Sequence, residues 1–76
     1  MKLLNIMFKN PEEILEFIKK VERYPYPMDL KCGSIMIDAK SLIGLLDLGC
    51  NRMLTLIVYA DECEELCCDI NKFIAA

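Results

Sequence analysis

Residues 28–39 read Met28-Asp29-Leu30-Lys31-Cys32-Gly33-Ser34-Ile35-Met36-Ile37-Asp38-Ala39. Met28, Leu30 and Cys32 alternate with Asp29 and Lys31, which is the period of a strand with one buried face. Gly33-Ser34 suits a two-residue type II′ turn, glycine first, and residues 35–39 supply the returning strand. A hairpin therefore sits in the middle of the chain, with helical patterns on both sides of it.

Upstream, residues 2–8 carry Leu3, Leu4, Ile6, Met7 and Phe8, the make-up of a mostly buried strand. Asn10-Pro11-Glu12-Glu13 marks a helix start. Asparagine caps, proline suits the first helical position, and Glu13, three residues past the cap, can close a capping box. Ile14, Phe17, Ile18 and Val21 then fall on one stripe, with Leu15 at its edge. Glu12, Glu16, Lys19, Lys20 and Arg23 take the opposite side, where Glu16 and Lys20 form an i,i+4 pair. Tyr24-Pro25-Tyr26-Pro27 stops the helix, because residues before proline avoid helical angles.

Downstream, residues 41–48 form a short apolar helix closed by Gly49. Residues 53–59 are the strongest strand candidate, rich in branched and aromatic side chains. Asp61, with Glu64 three residues on, reads as a second capping box that opens a helix running to the C-terminus. The order is β-α-β-β-α-β-α, and the expected fold is an α+β open-faced sandwich forming one domain over residues 1–76.

Composition removes several classes of function. The 76 residues include no histidine, which excludes a histidine general base, a histidine-containing zinc site and phosphohistidine chemistry. Nine Lys and Arg against twelve Asp and Glu leave a net charge of −3, and the basic residues are scattered. That argues against nucleic acid as a partner and against a polybasic membrane anchor. The longest apolar run, residues 53–60, is interrupted at Thr55 and falls far short of the ~20 residues of a membrane span. Asn5 interrupts the stretch after Lys2-Leu3-Leu4, and no small-residue cleavage site follows. A soluble, cytoplasmic protein is expected. No paired acid/base constellation, nucleophile motif or phosphate loop is present, so neither an enzyme nor a cofactor is implied.

Five cysteines form an odd set without CxxC spacing. On a helix, Cys63 and Cys67 share a face with Leu66, Ile70, Phe73 and Ile74, as small core residues would. Cys68 points toward solvent beside Glu64, Glu65 and Lys72. Cys50, between Gly49 and Asn51, and Cys68 are thus the reactive thiols of a second reading, in which the chain is a small redox or metal-binding protein.

The stretch Asp38-Ala39-Lys40-Ser41-Leu42-Ile43-Gly44-Leu45-Leu46-Asp47-Leu48-Gly49 resembles the serine-bearing segment of HPr, the phosphocarrier of the bacterial sugar phosphotransferase system. Thr55-Leu56-Ile57-Val58-Tyr59-Ala60-Asp61 is similar to the strand that follows it in that family. The element order matches, and the resemblance implies a four-stranded antiparallel sheet with three helices on one face. Carried back without gaps, the family pattern sets Asn10 where its phosphorylated histidine stands. It also sets Glu12 and Glu13 where the family has arginine and proline.

An amide nitrogen is not a useful nucleophile, so Asn10 cannot accept a phosphoryl group as imidazole does. Two carboxylates would repel that group where a cation is expected. The resemblance therefore implies a variant without the carrier function. Ser41 resembles the HPr serine modified by a dedicated bacterial kinase/phosphorylase; a serine here is equally suited to simple helix capping. Leu42, Ile43 and Leu46 match the apolar docking side of the family's short helix, with Leu45 as core; burial of all four is the competing reading. Protein partners are implied, an HPr-type kinase/phosphorylase or a transcriptional regulator among them.

Overall fold

The computed structural model describes residues 1–75. In chain order it contains β1 (Lys2–Ile6), α1 (Pro11–Val21), β2 (Met28–Cys32), β3 (Ile35–Asp38), α2 (Leu42–Leu48), β4 (Leu54–Val58) and α3 (Glu64–Asp69), followed by a single 3-10 turn over Asn71–Phe73. The four strands form one antiparallel sheet in the order β1-β4-β2-β3. The three helices cover one face, α1 packing against both α2 and α3.

The central hairpin forms as its residues dictate. Gly33 takes φ +61° while Ser34 does not share the positive angle, the backbone of a glycine-first tight turn. Met28 and Leu30 point into the core, as do Leu54, Leu56 and Val58 of β4, which lies between β1 and β2. β1 departs from the expectation of a mostly buried strand. It is an edge strand two residues shorter than its apolar run, with Leu3 at 59% exposure and Ile6 as its only fully buried residue. Leu3 lies opposite Ile57, on the face away from Leu54, Leu56 and Val58, so it points to the side of the sheet that the helices leave open.

α1 starts at the predicted residue. Asn10 Oδ1 accepts the Glu13 N–H at 3.0 Å, and Pro11 occupies the first turn. Glu13 reaches back as a capping box should, but its Oε1 accepts the Lys9 N–H at 2.8 Å, one residue before the cap. The buried stripe is Ile14, Phe17, Ile18 and Val21, with Leu15 exposed. Glu16 does not pair with Lys20. It takes Lys72 Nζ at 2.9 Å, because the chain beyond α3 returns alongside α1.

The last quarter of the chain departs most from expectation. Asp61 does not cap α3; its exposed carboxylate accepts from the Met1 amine at 3.0 Å. The residue before α3 is Cys63, without a side-chain capping bond, and the helix ends at Asp69 instead of continuing. Six residues without a capping side chain make a marginal helix, whereas the free edge of β1 offers unpaired backbone groups. The chain takes the second option. Met7 N–H donates to Phe73 O at 2.9 Å, Ala75 N–H donates to Asn5 O at 2.8 Å, and Ile74 bridges to Ile6.

That return carries Phe73 into the centre of the core. Phe8, Phe17 and Phe73, the only phenylalanines in the chain, meet edge-to-face with centroids 5.1, 5.8 and 5.6 Å apart. All three are essentially inaccessible to solvent. Phe17→Ala is expected to destabilise the fold by about 3–5 kcal/mol, by lost transfer energy plus a cavity. Leu15→Ala, on the exposed edge of the same helix, should stay within about 0.5 kcal/mol. Urea unfolding of the two variants checks the contrast.

Tyr24 ties α3 and the turn before α2 to the segment that follows α1. Its hydroxyl donates to the Asp69 carboxylate, its ring stacks on Tyr26, and its carbonyl accepts from Lys40 Nζ at 2.7 Å. The hydrogen bond to Asp69, reinforced by desolvation, pushes the phenol up from 10.0 to about 12. The raised value means that the folded state holds this proton more tightly than the unfolded chain. The contribution is complete below pH 10 and is lost as pH rises toward about 12. A stability–pH curve should therefore fall across that window in the wild type, and the fall should be shallower in Tyr24→Phe.

Candidate functional site

The residues singled out by sequence lie at the amino-terminal ends of α1 and α2, two helices in mutual contact. At the first end, Asn10 is exposed and its side-chain oxygen is committed to the cap. Glu12 and Glu13 put two carboxylates into the first turn, where both complement the helix dipole and Glu13 accepts the Lys9 N–H. This end holds no basic side chain in the first turn and no nucleophile. Chemically it is a closed helix cap.

At the second end, Ser41 is the residue before α2, in extended conformation, and its Oγ accepts the Gly44 N–H at 3.2 Å. The turn leading into it is tied by Ser41 N–H to Asp38 O at 3.0 Å and Lys40 N–H to Asp38 Oδ1 at 2.8 Å. Lys40 carries its charge away from Ser41 to the Tyr24 carbonyl, so its role is structural. Ser41 is only half-buried, so the hydroxyl combines a capping contact with access to solvent.

α2 divides cleanly into two faces. Leu45 and Leu48 are buried at 1% and 6% exposure, while Leu42, Leu46 and above all Ile43, at 83%, stand in solvent. Exposed apolar side chains one turn apart on a rigid helix form a surface suited to a protein contact. Gly44 escaped attention in the sequence. A Cβ there would come within 3.1 Å of Ile37 Cδ1 and 3.2 Å of Ser41 Oγ, so its absence permits both the β3 packing and the cap. A glycine inside a seven-residue apolar helix is the signal that could have marked it.

The cysteines fall differently from expectation. All five are free. Cys50, read as a reactive loop thiol, is only partly exposed and packs against the core. Cys68 is exposed as expected. Cys63 is buried, but Cys67 is half-buried and lines an open pocket beside Lys2 of β1. Burial and the contact with Cys63 push the Cys67 thiol up. Among the described residues no three His, Cys, Asp or Glu side chains converge to hold a metal ion. No helix among them is long and apolar enough to cross a membrane.

A four-stranded antiparallel sheet with helices on one face defines the class of open-faced α+β sandwiches, and comparison with solved structures narrows the class to the HPr fold. The chain is similar to HPr-C-His from Thermoanaerobacter tengcongensis, with TM-score 0.77 and 20% identity over 95% of this chain and 89% of that one. The phosphocarrier protein HPr from Bacillus anthracis str. Ames gives 0.70 and 18% over 97% and 94%. A Mycoplasma histidine-containing phosphocarrier protein gives 0.74 at 6% identity over 93% and 89%. No protein-family model matches the sequence. No curated protein matches it either. The likeness is one of fold, and it spans nearly the whole of each chain.

Removal of the α1 cap by Asn10→Ala should cost about 1 kcal/mol. Gly44→Ala should change stability little, since crowding of the Ile37 methyl and the Ser41 hydroxyl opposes a gain of about 1 kcal/mol in helix propensity. Thermal unfolding of both, with the far-UV spectrum as a check on fold, measures these effects.

Proposed function

We propose that this chain is a non-enzymatic regulatory or interaction module on the HPr fold, unable to carry phosphate on histidine and docking protein partners through α2. The observation that carries the reading is the exposed apolar face of α2, with Ile43 at 83% exposure beside Leu42 and Leu46. Two of the solved chains that share the fold are phosphocarrier proteins. This one has no histidine, and Asn10 spends its oxygen on a helix cap. A fold kept intact around a vacant acceptor position fits a binding role.

Ser41 is the regulatory position in this reading. Phosphoryl transfer to Oγ, with loss of the hydroxyl proton, would add between about one and two negative charges next to the apolar face. The added oxygens would replace Oγ as acceptors for the first N–H groups of α2. The fold would be kept while the character of the docking surface changed. An HPr-type kinase/phosphorylase and a transcriptional regulator are the partner types, and a bacterial cytoplasm is the setting.

Incubation of the folded chain with a purified HPr-type kinase and nucleoside triphosphate is expected to give a single acid-stable phosphate. Peptide mapping should place it on Ser41, and Ser41→Ala should abolish it. Ile43→Asp should weaken docking of the kinase without unfolding the chain, since Ile43 contributes almost nothing to the core. Absence of phosphate on folded wild-type protein would defeat the regulatory assignment, and unchanged docking of Ile43→Asp would defeat the surface.

A further inference from the structure

At the amino-terminal end of α3 an open pocket of about 300 Å³ is lined by Lys2, Asp61, Cys63, Glu64, Cys67 and Cys68. Within that lining the Sγ atoms of Cys63 and Cys67 lie 3.9 Å apart. Two residues four apart inside a regular helix keep their Cβ atoms about 5–6 Å apart, more than the roughly 3.5–4.5 Å of a disulfide. Cys63 is not inside the helix. It precedes α3 with φ −140° and ψ 34°, and no side-chain capping bond fixes it. Its carbonyl accepts the terminal Cys67 N–H at 3.0 Å, and closing the sulfurs to bonding distance would draw on this helix boundary.

We propose that Cys63 and Cys67 form a reversible dithiol–disulfide site that reacts with small uncharged or zwitterionic disulfides. Lys2 and the Met1 amine, which pairs with Asp61, balance Asp61 and Glu64, so the pocket wall has no net charge with which to draw in an ionic disulfide. Cys67 is the entry sulfur, being half-buried and open to the pocket, and Cys63, at 4% exposure, is the resolving one; because the Cys67 thiol is pushed up, the attack gains rate as pH rises. The Cys67 thiol loses its proton and its sulfur attacks one sulfur of the small disulfide. The S–S bond breaks, the departing thiolate takes up that proton, and a mixed disulfide remains on Cys67. Cys63 then loses its proton and attacks Cys67 Sγ, expelling the second small thiolate, which is protonated in turn. The protein dithiol is oxidised to one disulfide while the small disulfide is reduced to two thiols. Cys68 cannot take the place of Cys63, because a bridge between adjacent residues is strained.

The test treats the reduced full chain with 2-hydroxyethyl disulfide, quenches with an alkylating reagent in denaturant, and maps peptides without reduction. A Cys63–Cys67 linkage is expected, reversed by added dithiol. Cys63→Ala should stop at the mixed disulfide on Cys67, Cys67→Ala should lose the linkage, and Cys68→Ala should retain it. Wild-type protein in which Cys63 and Cys67 both remain alkylatable, or in which only Cys68 carries an adduct, overturns the proposal without recourse to any variant.

Discussion

The edge-to-face cluster of Phe8, Phe17 and Phe73 is the contact on which the rest of the structure depends. The three rings come from the end of the first strand, the middle of the first helix and the last turn of the chain. Their meeting therefore closes the fold across almost its entire length. A chain of this size hides only about 60% of the surface its unfolded form exposes, so it has few large side chains to distribute. Concentrating all its phenylalanines at one point sets α1 on the sheet and draws the C-terminal segment back to β1. It also pairs backbone groups of β1 that would otherwise form an open edge.

With the core gathered there, the ends of α1 and α2 are left as surface. The two ends differ in chemistry although each is capped by a polar side chain. Asn10 and the glutamates beside it make a finished cap with nothing to donate or transfer. Ser41 caps in the same manner but retains solvent access and borders an apolar face that the core does not use. The proposed role rests on this asymmetry. The thiol pair of α3 belongs to a different region, next to β1, whereas α2 packs near β3 at the opposite edge of the sheet.

Much of this was legible in the residues because the signals were local. The Asn10-Pro11 cap, the stripe from Ile14 to Val21, the glycine turn at Gly33 and the Gly49 stop each depend on a few neighbours. They appear where the sequence places them. The C-terminal segment departs from its local pattern because Asp61 and Glu64 imitate a capping box, while the competing partner, the free edge of β1, lies nearly seventy residues away. The same non-local competition moved Glu16 from Lys20 to Lys72. At the candidate site, the division of α2 into Leu45 inside and Ile43 outside follows helical period, but which side faces the sheet does not. The close approach of Ile37 to Gly44, and the pocket beside Cys67, exist only once the elements are packed.

In the proposed role this HPr fold works without a phosphohistidine, since Asn10 cannot take a phosphoryl group from enzyme I as imidazole does. Incubation of the chain with enzyme I and labelled phosphoenolpyruvate, beside a histidine-bearing HPr as a positive control, is the direct measurement. Label is expected on the control and none on this chain. Label on any of its residues, at a level comparable to the control, would overturn the proposed role.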